Sequence, residues 1–296
     1  MRTSTVEALG AAGLPVATVT RVVETALAED LGPGRLDVTS VATIPAGQVD
    51  TAEVVARADG VVAGLAVAAA VFDLAAAEGR TVEVRIRARD GARVARGDVL
   101  ATVAGPTRDL LTAERTALNL LSRLSGVATH TRRWADALAG TKALVLDTRK
   151  TTPGLRALEK YAVRAGGGTN KRMGLYDVAM VKDNHKLAAG GVAAAYRRVR
   201  EAFPDVPVQV EVTTVAEARE AVAAGADFLL CDNMSPALLR EVVGAVGGRA
   251  ELEATGGLTL EVAREYAETG VDYLSVGALT HSSPILDVAL DLRPRS

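Results

Sequence analysis

Cysteine, histidine and aromatic residues are all scarce in this chain of 296 residues: one cysteine, three histidines and 3% Phe, Tyr and Trp together. The lone Cys231 excludes an intrachain disulfide and suits a reducing cytosol. His130, His185 and His281 are scattered, and with one cysteine they exclude a His/Cys zinc cluster. With so few aromatics the core has to be built from Ala, Val and Leu, and 49% of the chain is hydrophobic. A net charge of −2 gives no global basic field, so nucleic acid is not an expected partner and anion binding must come from local clusters. No apolar run reaches about 18 residues. The nearest, AGLAVAAAVFDLAAA, is broken by Asp73. The first fifteen residues, MRTSTVEALGAAGLP, have no signal-peptide apolar segment. These absences read as a soluble cytoplasmic protein without a membrane partner. Also absent are G-x-S-x-G, the P-loop, and a G-x-G-x-x-G that opens a helix after a first strand.

What is present changes rhythm part-way along. VTRVVETALAED (19–30) and LAVAAAVFDLAAAEG (65–79) have helical spacing, the second closed at Gly79. TAEVVARADG and VEVRIRARDG read as extended, and DGARVARGDVLATVAG (90–105) reads as a hairpin pair between glycine turns. A long helix over 110–138 follows, with a break near Gly126. It carries Arg115, Asn119 and Ser122 on one face. Spacing alone makes Arg115 a solvated arginine.

From residue 142 the pattern becomes strand, loop, helix, repeated. The strands are KALVLD, VAMVK, VQVEV, FLLCD, AELEA and YLSVG, separated by helix patterns such as VAEAREAVAAG and PALLREVVGAVG. Steps of about 20 to 35 residues are the size of a βα unit. Six such units imply a parallel β/α barrel, whose loops of one kind share one rim.

Polar residues sit at the ends of these apolar strands: Asp147, Arg149 and Lys150; Lys182 and Asp183; Glu211; Asp232 and Asn233; Glu253. One charge at the end of a buried strand is commonplace. Five in succession are hard to explain by packing, because unpaired buried charge is costly. At a barrel's C-terminal rim they converge, cations from the first two strands and carboxylates from the next three. ATGG (254–257) and SVGALTH (275–281) add glycines between strand and helix, where exposed backbone N–H groups can hold phosphate. Arg149, Lys150, Arg172 and Lys182 suit carboxylates or phosphates, while Glu211, Asp232 and Glu253 suit sugar hydroxyls or a Mg²⁺–phosphate complex.

The block DTRKTTPGLRALEKYAVRAGGGTNKRMGLYDVAMVKDNH (147–185) closely resembles the signature of the quinolinate phosphoribosyltransferases. The likeness continues through ERTALNLLSRLSGVAT, VEV (210–212), CDNMSP, EATGG, ETGVDYLSVGALTHS and EDLGPGRLDVTS. It implies an N-terminal α/β sandwich-like domain, residues 1–125, and an irregular β/α barrel of six or seven strands, residues 126–281, with the tail 282–296 packing back on the first domain. It implies transfer of phosphoribose from phosphoribosyl pyrophosphate (PRPP) to quinolinate with Mg²⁺, giving nicotinate mononucleotide, pyrophosphate and CO2, in a homodimer or larger assembly. By the same resemblance Arg149, Arg172 and Lys182 hold the quinolinate carboxylates, with Arg115 arriving from the neighbouring subunit, and Lys171 is expected beside them as a further substrate-binding cation. Lys150 contacts the pyrophosphate. Glu211 and Asp232 hold ribose hydroxyls and the Mg²⁺ complex, with Glu253 beside them. Thr255, Gly257, Gly277 and His281 cradle phosphate. Lys150, Lys182, Glu211 and Asp232 are the catalytic set.

One position departs from the family pattern: Lys171 stands where histidine is usual. Lysine keeps a cation there but cannot stack or donate as a ring. Two alternatives stay open: a related phosphoribosyltransferase with another pyridine or aromatic carboxylate as acceptor, and a non-catalytic nucleotide-binding relative. Cys231 is expected in the core, His130 and Trp134 are structural or interface residues, and His185 orients loop groups. Tyr161 and Tyr176 have no assigned role.

Overall fold

The computed structural model describes residues 1–293 and divides into two compact units. The first comprises Met1–Arg132, Thr152–Gly167 and the segment that begins at Ser282; the second comprises Arg133–Thr151 and Gly168–His281. Both the expected boundary at 125/126 and the division after Arg132 lie within a single helix, Thr107–Ala137.

The first unit holds β1 (Val49–Ala56), β2 (Gly60–Val61), β3 (Glu83–Ile86), β4 (Arg93–Val94) and β5 (Val99–Pro106), together with the C-terminal strand Val288–Leu292. The C-terminal strand, β1, β5 and β3 make one antiparallel sheet in that order. The tail therefore adds an edge strand to β1; residues 294–296 lie outside the described residues. The expected hairpin over 90–105 does not form: β4 pairs β2, while β5 pairs β1 and β3. A tight turn closed by Ala95 N–H donating to Asp98 Oδ2 (2.8 Å), with Gly97 N–H donating to Ala56 O (2.8 Å), delivers β5 to β1 instead.

The helix Leu65–Ala75 buries Leu65 through Phe72 without interruption. Small alanines let neighbours close on every side, which explains a core with few aromatics. It ends at Ala76 rather than at Gly79. The expected break near Gly126 is also absent. That glycine serves packing: a Cβ there would lie 2.8 Å from Ile285 Cα, so only glycine admits the Pro284–Ile285 backbone.

The second unit holds β6 (Leu144–Leu146), β7 (Ala179–Val181), β8 (Val208–Val212), β9 (Phe228–Asp232), β10 (Glu251–Thr255) and β11 (Tyr273–Ser275). All pairings are parallel, in the order β6-β11-β10-β9-β8-β7. Consecutive strands β7 to β11 are neighbours and β6 joins beside β11, a barrel-like order with six strands. An isolated parallel bridge, Leu146 to Thr169, extends it beyond β6. All five residues of β8 are buried, as a parallel strand covered on both faces requires. Two helices of this unit begin with side-chain caps: Thr214 accepts from Glu217 N–H (3.1 Å), and Ser235 accepts from Leu238 N–H (3.3 Å) ahead of Pro236. With all strands parallel, their C-terminal ends point one way and gather the following loops. Among the described residues no single helix is long and apolar enough to cross a membrane.

Candidate active site

A cavity of about 650 Å³ opens at these strand ends. The loop after β6 brings Arg149 and Lys150, and the segment before β7 brings Lys171 and Arg172. Lys182 follows β7, Glu211 lies in β8 and Asp232 ends β9. Thr255 and Gly257 come from the end of β10, and Gly277 and His281 follow β11. Eleven of the thirteen residues given a site role in the sequence thus line one cavity. Arg115 and Glu253 are not among the lining residues. Arg115 is exposed on the helix Thr107–Ala137, and Glu253 is fully buried.

The placement of Glu253 is a correction with a simple cause. Side chains alternate along a strand, so Glu253 and Thr255 share a face and Glu253 sits one step deeper. There its Oε1 lies 2.5 Å from Lys171 Nζ and accepts from Ser275 Oγ at 2.5 Å. Its Oε2 is buried and makes no hydrogen bond. Asp147, also fully buried, fixes the approach of the same segment: it accepts from Asn170 Nδ2 (2.6 Å) and Lys171 N–H (2.8 Å). Lys171 is therefore held at both backbone and head group, with its side chain 7% exposed.

The cations crowd one another. Burial, and then the charge of Arg149, holds the Arg172 guanidinium below its ordinary pKa. Arg172 donates to Val178 O (3.0 Å), and the turn behind it is fixed by Asp177, which accepts from Met173 N–H (2.6 Å) and Gly174 N–H (3.0 Å). Burial acts against the Asp177 carboxylate, but those backbone donors outweigh it and keep its pKa below the usual range. Lys182 Nζ stands 3.4 Å from Glu211 Oε2. Its backbone N–H donates to His185 Nδ1 (3.0 Å), so His185 orients the start of the following helix.

The glycines act by close approach. A Cβ on Gly277 would meet Lys150 Cδ at 3.0 Å and His281 Nε2 at 3.1 Å. Gly256 has φ +98°, and the neighbouring Asn233 takes a left-handed φ of +52°. Asn233 and Gly256, visible in the sequence at a strand end and in a glycine loop but given no role there, also line the cavity, as does Ser275. A polar residue straight after Asp232, in a type tolerant of left-handed backbone, was the available signal for Asn233. Nothing distinguishes Ser275 in the sequence from an ordinary strand serine.

The core residues behave as expected. Cys231 is buried, and burial, with the nearby Glu253 charge, pushes its thiol up to about 12, so it is inert. Trp134 is buried, and His130 Nδ1 lies 2.9 Å from Ser283 Oγ. Tyr161 donates to Asp90 Oδ2 (2.5 Å), while Tyr176 is exposed.

A cavity with several cations against two carboxylates and glycine loops is suited to a polyanionic ligand. Residues 37–125 match the N-terminal domain, and residues 127–291 the C-terminal domain, of quinolinate phosphoribosyl transferase. The chain belongs to this family. It is 51% identical over 271 residues to the nicotinate-nucleotide pyrophosphorylase (carboxylating) of Mycobacterium leprae (strain TN), with 90% of this chain and 94% of that protein covered. It is 44% identical to the probable enzyme of the same name from Bacillus subtilis (strain 168), over 89% of this chain and 90% of that one. The solved nicotinate-nucleotide pyrophosphorylase from Francisella tularensis superposes with a TM-score of 0.90 at 35% identity, covering 95% of this chain and 98% of that one. Within the quinolinate phosphoribosyl transferase family, then, this chain keeps the two-part fold over nearly its whole length.

Proposed function

We propose that this chain is a quinolinate phosphoribosyltransferase: it joins quinolinate to PRPP and releases pyrophosphate and CO2, forming nicotinate mononucleotide for NAD synthesis. Family membership supports the reading, and one observation carries it to these residues. Arg149, Arg172 and Lys182 line the cavity together, and Lys150 and His281 meet at Gly277 in the same cavity. Two adjacent carboxylates on a pyridine need clustered cations. A phosphoribosyl group needs hydroxyl acceptors, here Glu211 and Asp232, and phosphate donors.

The chemistry asks little proton transfer in its first half. The C1–O bond to pyrophosphate breaks, C1 gains oxocarbenium character, and the pyridine nitrogen attacks it. Lys150 takes up charge on the leaving pyrophosphate, and fixed charges around the ring hold the acceptor in line; positioning and electrostatics do most of the work. Mg²⁺ would arrive on the diphosphate. Glu211 and Asp232 are the carboxylates available to it, and no group of three possible metal ligands forms among the described residues. That fits an ion carried mainly by substrate oxygens and water. Arg115, exposed on its helix, is assigned to the neighbouring subunit's site in a homodimer, and the single buried thiol suits a reducing cytosol.

The test is product formation from purified protein with PRPP, Mg²⁺ and quinolinate. Equal amounts of nicotinate mononucleotide and CO2 are expected. A folded protein that binds PRPP yet turns over only a different pyridine carboxylate from a panel would overturn the choice of acceptor. Tight product binding without any turnover would leave a nucleotide-binding relative. Sedimentation, together with rescue when Arg115 and Lys182 variants are mixed, checks the shared site.

A further inference from the structure

Loss of CO2 leaves an electron pair on the pyridine carbon beside the nitrogen, and that carbon must gain a proton. The lining cations differ in whether they can supply one. Guanidinium groups do not deprotonate, which removes Arg149 and Arg172. Lys150 is exposed to solvent. Lys182 is about half exposed and already faces Glu211. Lys171 alone among the lining lysines has a buried side chain, backed by a fully buried carboxylate.

We propose that Lys171 delivers the proton to the carbon vacated by CO2, and that Glu253, with Ser275, is the positioning residue that holds its ammonium at the cavity wall. This rests on the decarboxylating transfer proposed above. The balance is simple. The ring carbon–carboxylate bond breaks and its electron pair stays on carbon. One Lys171 N–H bond breaks as the C–H bond forms, and the neutral amine regains a proton from water once product leaves.

The surroundings agree. The charged groups facing the Lys171 head are Glu253 from β10, its neighbour Arg172, and Lys182 beyond β7. Burial holds the ammonium below its ordinary pKa; Glu253 opposes this, and Arg172 and Lys182 add to it. An acid so tuned releases its proton more readily than a solvated lysine. Because Ser275 donates to the same Glu253 oxygen that Lys171 faces, the carboxylate cannot swing away without losing both bonds.

The experiment is single turnover with PRPP, Mg²⁺ and quinolinate, followed by mass spectrometry of the nucleotides. Lys171→Arg keeps the charge and removes the usable proton. Nicotinate mononucleotide formation is expected to slow by about 10²–10⁴-fold, with the quinolinate KM within about threefold. Without that proton the carbanion recaptures CO2, so the dicarboxylate nucleotide should accumulate with pyrophosphate released. The double variant Lys171→Met with Glu253→Gln leaves no uncompensated buried charge, so it tests the same block if the arginine fails to fit. Glu253→Gln alone should move the high-pH loss of kcat to lower pH, because the partner that favours the ammonium is gone. Wild-type kcat in Lys171→Arg overturns the inference. So does a loss confined to the quinolinate KM with no dicarboxylate nucleotide, which makes Lys171 a binding cation. Wild type that releases no CO2 fails differently: it overturns the decarboxylating reading itself.

Discussion

The side chain of Asn233 fills the space that a Cβ on Gly256 would need. The two meet at the cavity rim, where Asn233 N–H donates to Thr255 O at 2.9 Å and ties the loop after β9 to the end of β10. Gly256 also holds φ +98°, a region that other residues enter only with strain. Gly256→Ala should therefore lower kcat/KM by at least about tenfold while the secondary structure persists. Adding Asn233→Gly should recover part of the loss, because it removes the side chain that the new methyl group strikes. Steady-state kinetics on the two single variants and the pair check this; additive losses would show that the two residues do not meet functionally.

Lys182 and Glu211 form the pair that joins the cationic and anionic sides of the cavity, 3.4 Å apart. Lys182→Met should cut kcat/KM for quinolinate by roughly 10²–10³-fold. Glu211→Gln should act chiefly through PRPP. Substrate-specific KM values separate the two. Equal effects of both variants on both substrates would contradict the division of labour proposed here.

In the first unit, Glu159 is fully buried and accepts from Arg123 Nη2 (2.8 Å), Arg123 Nε (3.1 Å), Thr152 N–H (3.0 Å) and Thr152 Oγ1 (2.7 Å). Removing the arginine strands the carboxylate in the core. Arg123→Met should destabilise by about 3–5 kcal/mol, whereas Arg123→Met with Glu159→Leu should be less damaging than the single change. Chemical denaturation measures both.

Lys186 and Glu217 give a pH dependence. Lys186 Nζ lies 3.0 Å from Glu217 Oε1 and donates to the Glu211 carbonyl at 3.1 Å. Burial acts against both charges, but hydrogen bonds prevail. Thr213 N–H and Lys186 hold the Glu217 carboxyl below its usual pKa, and Asp183 with Glu217 holds the Lys186 ammonium above its own. The Glu217 contribution is thus complete above about pH 4.3 and is lost as pH falls through its lowered folded value. The Lys186 contribution is complete below about pH 10.4 and is lost as pH rises through its raised folded value. Glu217→Gln should cost about 1 kcal/mol at pH 7 and flatten the acid limb of a stability profile. An unchanged limb would mean the pair is not felt.

Much of the second unit was legible because its strands are short apolar runs ended by charge, and a parallel barrel repeats that pattern at every βα step. The first unit was less so. β2 and β4 have two residues each, too short for any periodicity, and the glycine in the long helix reads as a break until the backbone packed on it is known. Within the site, Arg149, Lys150, Arg172 and Lys182 announced themselves by position. Asn233 stood at a strand end without a role, and Ser275 did not stand out at all, since their roles depend on which residues of other strands lie opposite.

The sequence by itself determined the strand–helix rhythm, the charge at five of the six strand ends and the family. These are local patterns, set by side-chain type and spacing along one chain. Only the tertiary structure decided that Glu253 turns inward to Lys171 and Ser275 instead of outward to a ligand. That outcome depends on depth: two residues along β10 separate the open rim from a buried layer, where a carboxylate persists only with a cation beside it.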